Sequence, residues 1–161
     1  MAERVHGVVP RDVLVAEPGL SFLRGLLEGR HPAPPFSLST GIYLVAVEAK
    51  RVTFQGTPTA AFFNPLGTVH GGWTSAILDS AMGCAVHTTL QAGQGYTTVE
   101  MKLNFVRPVM PELGELTCEG VVVHRGGTLA TAEGKLYDGR GRLLAHGSET
   151  CMIFGGDTRG H

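Results

Sequence analysis

From Trp73 to Leu90 the chain runs without a proline through Ala, Ile, Leu, Met and Val, and this stretch constrains the fold more than any other. Its length and texture predict one long helix. The apolar positions Ala76, Ile77, Leu78, Ala81, Met82, Ala85 and Val86 fall almost all round it. Such a helix needs cover on most sides and cannot lie on a surface. The flanking sequence supplies the cover. Gly41 to Val47 and Val52 to Phe63, rich in β-branched and aromatic residues and parted by Lys50–Arg51, read as a β-hairpin. After the Gly93–Gly95 turn come four strand-like stretches, Thr97–Phe105, Glu115–Val123, Thr128–Tyr137 and Arg142–Ile153. They are separated by Pro108 and Pro111, by Gly126–Gly127, and by the hairpin signal Asp138-Gly139-Arg140-Gly141. The order predicts an α+β fold, with a mainly antiparallel sheet of five to six strands wrapped around one central helix.

With 161 residues, 43% of them hydrophobic and 17% charged, the chain fits a single globular domain. Residues 1–35 are expected to form an N-terminal helix, Leu20 to Leu27, closing at Gly29, and a linker carrying Pro32, Pro34 and Pro35. The main domain is expected over 36–154 and a flexible tail over 155–161. A net charge of −1 gives no basic field for nucleic acid or an anionic membrane. No apolar run approaches the ~18 residues of a membrane span, and no signal peptide pattern opens the chain. Cys84, Cys118 and Cys151 are odd in number and far apart, as expected of free thiols in a reducing compartment, so a cytoplasmic location is expected.

The histidines lack the spacing of zinc sites, the G-x-S-x-G elbow of serine hydrolases is missing, and Gly139–Gly141 lacks the third glycine of a dinucleotide loop. Neither metal nor cofactor is expected. What remains is Asp79, a carboxylate inside an apolar helix, where it loses solvation and disfavours the helix. Either it is a buried, hydrogen-bonded structural residue or it is a base or nucleophile, because partial desolvation makes a carboxylate more basic. Gly71 and Gly72 open the same helix, whose first amides lack intrahelical partners and carry the positive end of the macrodipole. They are suited to a tight turn or to an oxyanion site that a ligand oxygen can approach closely. His70, just before them, either braces the turn or positions a ligand.

The run from Asn64 to Asp79, N-P-L-G-T-V-H-G-G-W-T-S-A-I-L-D, resembles the hallmark of hotdog-fold acyl-CoA thioesterases of the phenylacetic-acid-degradation type. The stretch Thr97 to Pro108 is similar to the strand that follows the hotdog helix, and Leu113-Gly114-Glu115 to the start of the next. The resemblance covers about residues 40 to 154. It implies that Asp79 is nucleophile or general base, that Asn64 and Gly71 receive the thioester carbonyl, and that His70 braces the turn. It also implies that a hydroxyl residue on the next strand, Thr98 in preference to Thr97, places the water or the carboxylate. For the anionic CoA moiety it directs attention to Arg107, Arg125, Gly126, Gly127 and Lys135, and first to Arg125, where a guanidinium and backbone amides could join on a phosphate. Trp73, Ile77, Met82 and Phe105 are candidates to line an aromatic-sized acyl pocket or, equally, to serve as core, and Gly72 and Thr97 are further candidates to bind substrate.

Gly71 and Asp79 are eight residues apart, so they stand roughly 12 Å apart along one helix axis and cannot reach the same carbonyl carbon. The expectation is a homodimer with two shared active sites, and by resemblance a tetramer of two such dimers. A hotdog hydratase or dehydratase acting on hydroxyacyl thioesters, and a non-catalytic acyl-CoA-binding protein, are the rival readings. The N-x-x-G-T-x-H-G-G context favours the thioesterase branch.

Overall fold

Along the chain the elements run α1 (Arg11–Leu14), α2 (Gly19–Leu27), α3 (Pro35–Thr40), β1 (Ile42–Glu48), β2 (Arg51–Gly56), α4 (Gly71–His87), β3 (Gln94–Phe105), β4 (Leu116–Arg125), β5 (Leu129–Tyr137) and β6 (Leu143–Gly155). The computed structural model describes residues 5–156. The six strands form one antiparallel sheet in the order β1-β2-β4-β5-β6-β3. One face of it packs against α4, which meets β2, β3, β4, β5 and β6. This is the hotdog arrangement.

The apolar run accounts for the packing. Ile77, Leu78, Ala81, Met82, Ala85 and Val86 are all fully buried. Contact is closest at Gly120 on β4, where a Cβ would stand 2.1 Å from the Ala81 carbonyl oxygen. Only glycine lets the helix backbone approach a strand so nearly.

Several boundaries differ from expectation, each for a local reason. Strand β2 ends at Gly56 and not at Phe63. Pro58 follows, with no N–H to give a ladder, and then a short 3-10 turn, Ala60–Phe62. Helix α4 begins two residues before Trp73, because the His70 ring accepts the Gly72 N–H at 2.9 Å and caps it. It ends at His87, before Leu90. There the Thr88 and Thr89 hydroxyls donate to the carbonyls of Ala85 and Val86, competing with the helical pattern. The proline-rich stretch ends in helix α3, with Pro35 in its first turn and Gly41 in the left-handed conformation at its end (φ 69°). Helix α2 packs on β1 and α4 and gives Phe22 and Leu23 to the core, the Phe22 ring stacking on His31 and His87. The expected tail from 155 overlaps the end of β6, and its residues 157–161 lie outside the described part.

Strand β3 positions the site. It is an edge of the sheet, and a bulge between Thr98 and Glu100 shifts its register against β6. Thr98 stands opposite Cys151, and Met101 opposite Glu149. The face turned to α4 therefore runs Tyr96, Thr98, then Met101 and Leu103, with Val99 as the extra residue.

Candidate active site

Asp79 sits half-buried in the middle of α4, on the flank that faces β3 and β6. The Thr98 hydroxyl lies 3.3 Å from Asp79 Oδ1 and 2.9 Å from Glu149 Oε1. Glu149 Oε1 also accepts the Cys151 thiol at 3.0 Å. Glu149 is 1% exposed, and its Oε2 has no hydrogen-bond partner. Burial pushes its carboxyl up to about 7, against the lowering pull of the Cys151 and Thr98 hydrogen bonds, and the charge of Asp79 adds to the rise. The sequence reading missed Glu149. The mark was there: Ala145, Gly147, Glu149, Cys151 and Ile153 alternate onto one face of β6, and Glu149 is the one charged residue in that phase.

At the start of α4, His70 Nδ1 holds the Gly72 N–H, so that amide is not free for a ligand. Gly71, the first helical residue, is left with an N–H that has no acceptor within the helix. The Phe105 ring is beside it, 3.5 Å from where a Gly71 Cβ would be, and Phe105 is 56% exposed, so this aromatic face is open to a ligand. Asn64 braces the preceding loop: its Nδ2 donates to Thr68 Oγ1 at 2.6 Å, and its Oδ1 accepts the Leu66 N–H at 2.8 Å. An amide nitrogen carries two hydrogens, and the bond to Thr68 uses one.

Other expected residues are elsewhere. Trp73 is core, 4% exposed, with its indole N–H donating to the Thr40 carbonyl at 2.9 Å and its ring over Gly56. Ile77 and Met82 are fully buried, so none of the three lines an open pocket. Thr97 pairs with Met152 on the face of the sheet turned away from α4. Lys135, between buried Gly134 and Leu136, is also on that outer face. Arg107 is exposed and uses Nη1 on the Leu143 carbonyl at 2.6 Å. Arg125 is folded onto its own turn. Its guanidinium donates to the carbonyls of Gly126 and Gly127, to Thr89 Oγ1 and to Gln94 Oε1, and burial lowers its pKa. The Gly126 N–H is held by the Leu129 carbonyl. The three residues brace one hairpin end at the far end of α4 from Gly71.

Chemically this leaves a carboxylate with a hydroxyl beside it and a buried acid behind. The free thiols are poor nucleophiles here: burial pushes Cys84 up to about 12, and Cys118 and Cys151 higher still. Among the described residues no cluster of His, Cys, Asp and Glu could hold a metal ion, and no helix is long and apolar enough to cross a membrane. A cavity of about 90 Å³ lies under α2 and α3, lined by Leu26, Tyr43, Leu44, Phe54 and Cys84 among others, but neither Asp79 nor Thr98 borders it. Thr98 and Phe105 leave the β3 side of this arrangement exposed.

The Thioesterase superfamily family model matches residues 66–145, which include α4 with Asp79, Thr98 and the start of β6. A protein of Saccharolobus solfataricus named as an esterase is 32% identical over 88 residues, 55% of this chain and 57% of its own length. Acyl-coenzyme A thioesterase 13 of Mus musculus is 33% identical over 89 residues, 54% of this chain and 61% of its own. The match thus spans little more than half of each of these relatives. A solved structure of a phenylacetic acid degradation-related protein from Ralstonia eutropha aligns over 81% of this chain and 98% of its own, with 31% identity and a TM-score of 0.75. On that match, over 81% of this chain and nearly all of the other at 31% identity, the chain belongs to the thioesterase superfamily.

Proposed function

We propose that the protein hydrolyses acyl-CoA thioesters to a free acid and CoA, with Asp79 as general base or nucleophile. The observation that carries this reading is the Asp79 carboxylate half-buried on α4 with the Thr98 hydroxyl 3.3 Å away, at the open edge of the sheet. As base, Asp79 takes a proton from water while the oxygen adds to the thioester carbonyl; the tetrahedral species then expels CoA as thiolate, which takes up the proton. As nucleophile, its carboxylate adds to the carbonyl and displaces CoA thiolate to form a mixed anhydride; water then opens this to the free acid and the Asp79 carboxylate, and the proton released goes to the thiolate. In both routes charge develops on the carbonyl oxygen, which a preorganised N–H stabilises.

The Gly71 N–H suits that task, but within one subunit it lies roughly 12 Å along the helix from Asp79. The site is therefore shared: Gly71, Asn64 and His70 of one copy act with Asp79 and Thr98 of the other. Strand β3 supports this, since it is an edge twelve residues long, and an exposed edge of that length invites pairing with a second chain. Two such dimers make the tetramer. Phe105, open beside Gly71, suits an aromatic acyl group, in keeping with the phenylacetic acid degradation-related neighbour. For the CoA phosphates Arg107 is the better cation, because the donors of Arg125 are occupied. The three free thiols fit a reducing, cytoplasmic setting.

Free-thiol release from phenylacetyl-, hydroxybenzoyl- and medium-chain acyl-CoA tests the activity, and Asp79→Asn should lower kcat at least ~100-fold with the fold intact. Near-wild-type turnover by that variant removes Asp79 from the mechanism. Mixing inactive Asp79→Asn with inactive Asn64→Ala after subunit dissociation should restore about half of wild-type activity per heterodimer, because one of its two sites is then intact. Heterodimers as inactive as their parents would rule out the shared site.

A further inference from the structure

The Thr98 hydroxyl has one proton and two carboxyl oxygens within reach, Asp79 Oδ1 at 3.3 Å and Glu149 Oε1 at 2.9 Å. If Glu149 were ionised, both carboxylates would compete for that proton, and the nearer would hold it. The surroundings of Glu149 decide its state. From α4 it is faced by Asp79 and Cys84, from β3 by Tyr96 and Thr98, and from β6 by Cys151. Ala132 of β5 is its register partner, beside Ala130 opposite Cys151. Among these groups there is no cation. The carboxyl is 1% exposed, and its Oε2 meets no donor. A carboxylate so placed is desolvated, uncompensated and close to a second negative charge, so the neutral acid is the favoured form.

Gly83 adds an independent observation. A Cβ there would stand 2.9 Å from Tyr96 Oη and 3.4 Å from Glu149 Oε1. Glycine inside a helix costs ~1 kcal/mol relative to alanine. Here it opens the room under α4, one turn after Asp79, that the Glu149 carboxyl and the Tyr96 hydroxyl share.

We propose that Glu149 is a positioning residue for the reaction: as a neutral acid it donates from Oε1 to Thr98 Oγ1, which turns the Thr98 proton onto Asp79 Oδ1. The chain Glu149–Thr98–Asp79 then orients the reacting carboxylate without Glu149 touching substrate. When Glu149 ionises, Thr98 donates to Glu149 instead and Asp79 loses its partner. This rests on Asp79 being the reacting group.

The proposal has a signature in pH. Wild-type kcat should fall as Glu149 loses its proton, with a midpoint of about 7. A single proton with that midpoint gives a drop of about 30-fold between about pH 6 and pH 8.5. In Glu149→Gln the amide donates to Thr98 at every pH, so the alkaline fall should vanish while kcat at about pH 6 stays within ~3-fold of wild type. Thr98→Val removes the link, so its lower kcat should be flat over the same range, and adding Glu149→Gln to it should change nothing. Asp79→Asn is assayed alongside. If it turns over like wild type, or wild type hydrolyses no acyl-CoA, the hydrolase reading fails and the relay with it. If Asp79→Asn is inactive while Glu149→Gln keeps the alkaline fall, the hydrolase reading stands and the relay is overturned. Should Glu149→Gln not fold, Thr98→Val decides alone: an alkaline fall that survives in it overturns the proposal.

Discussion

The two flanks of α4 meet the same sheet by opposite means. Towards β4 and β5 the helix presents Leu78, Ala81 and Met82, and the strands answer with glycine: a Cβ on Gly120 would strike the Ala81 carbonyl, and one on Gly134 would stand 2.9 Å from Met82 Cγ. Towards β3 and β6 the glycine is on the helix, at Gly83, and the strands present Tyr96, Thr98, Glu149 and Cys151 around Asp79. The first flank is limited by volume. The second is limited by charge and unsatisfied hydrogen bonding. Close packing makes the one intolerant of added atoms, and the low dielectric makes the other sensitive to each proton.

The largest expected effect breaks the first flank. Gly120→Ala forces helix and strand apart against backbone and should cost about 3 kcal/mol or more in denaturant unfolding. It should leave the midpoint of any pH dependence in stability unmoved. Next comes the second flank. Burial raises the Glu149 carboxyl from its ordinary 4.5 to about 7, so between these values the native state binds more protons than the unfolded one. Stability must then fall as pH rises through that window and stay reduced above it. Glu149→Gln removes the charge and should stabilise the protein by about 2–3 kcal/mol at about pH 8, and by little at about pH 4.5. Urea unfolding at the two pH values measures both. An equal effect at both would mean that the carboxyl is not held neutral. His87 supplies the opposite sign. Burial lowers its pKa to about 4, so its contribution is complete above its ordinary 6.5 and is lost as pH falls towards 4.

The first flank was legible in the sequence and the second only in part. An apolar helix without proline demands a wrapping sheet, and six strands supply it. Asp79 stood out because its type conflicts with its neighbours, and Thr98, in preference to Thr97, came only from the family resemblance. Whether Thr97 or Thr98 turns inward depends on register with β6, where the bulge at Val99 resets the alternation for the rest of β3, and no local residue pattern announces that bulge. Glu149 escaped because a glutamate between Ser148 and Thr150 reads as an ordinary polar strand position until its phase is counted. Trp73, Ile77 and Met82 were open to two readings, since a pocket lining and a core share their chemistry; burial decides for the core. Arg125 looked like a phosphate ligand, yet the carbonyls of its own glycine turn lie within reach of the guanidinium.

The smallest effect gives the sharpest test, because the same residue type stands on both flanks. Cys118 of β4 is fully buried beside the apolar flank and has no hydrogen-bond partner among the described residues. Cys151 of β6 is equally buried, but its thiol donates to Glu149 Oε1 at 3.0 Å. Serine is close in size and a stronger donor than cysteine, so the two substitutions change polarity while nearly conserving volume. Cys118→Ser puts an unpaired hydroxyl into an apolar site and should cost about 1–2 kcal/mol. Cys151→Ser keeps a partner and strengthens the bond to it, so its cost should be below about 0.5 kcal/mol. A stronger donor also favours the ionised form of Glu149, so the alkaline loss of stability in Cys151→Ser should move to lower pH, while Cys118→Ser leaves it in place. Equal costs for the two variants, with no movement of the alkaline transition, would show that the flanks do not differ in the way their geometry requires.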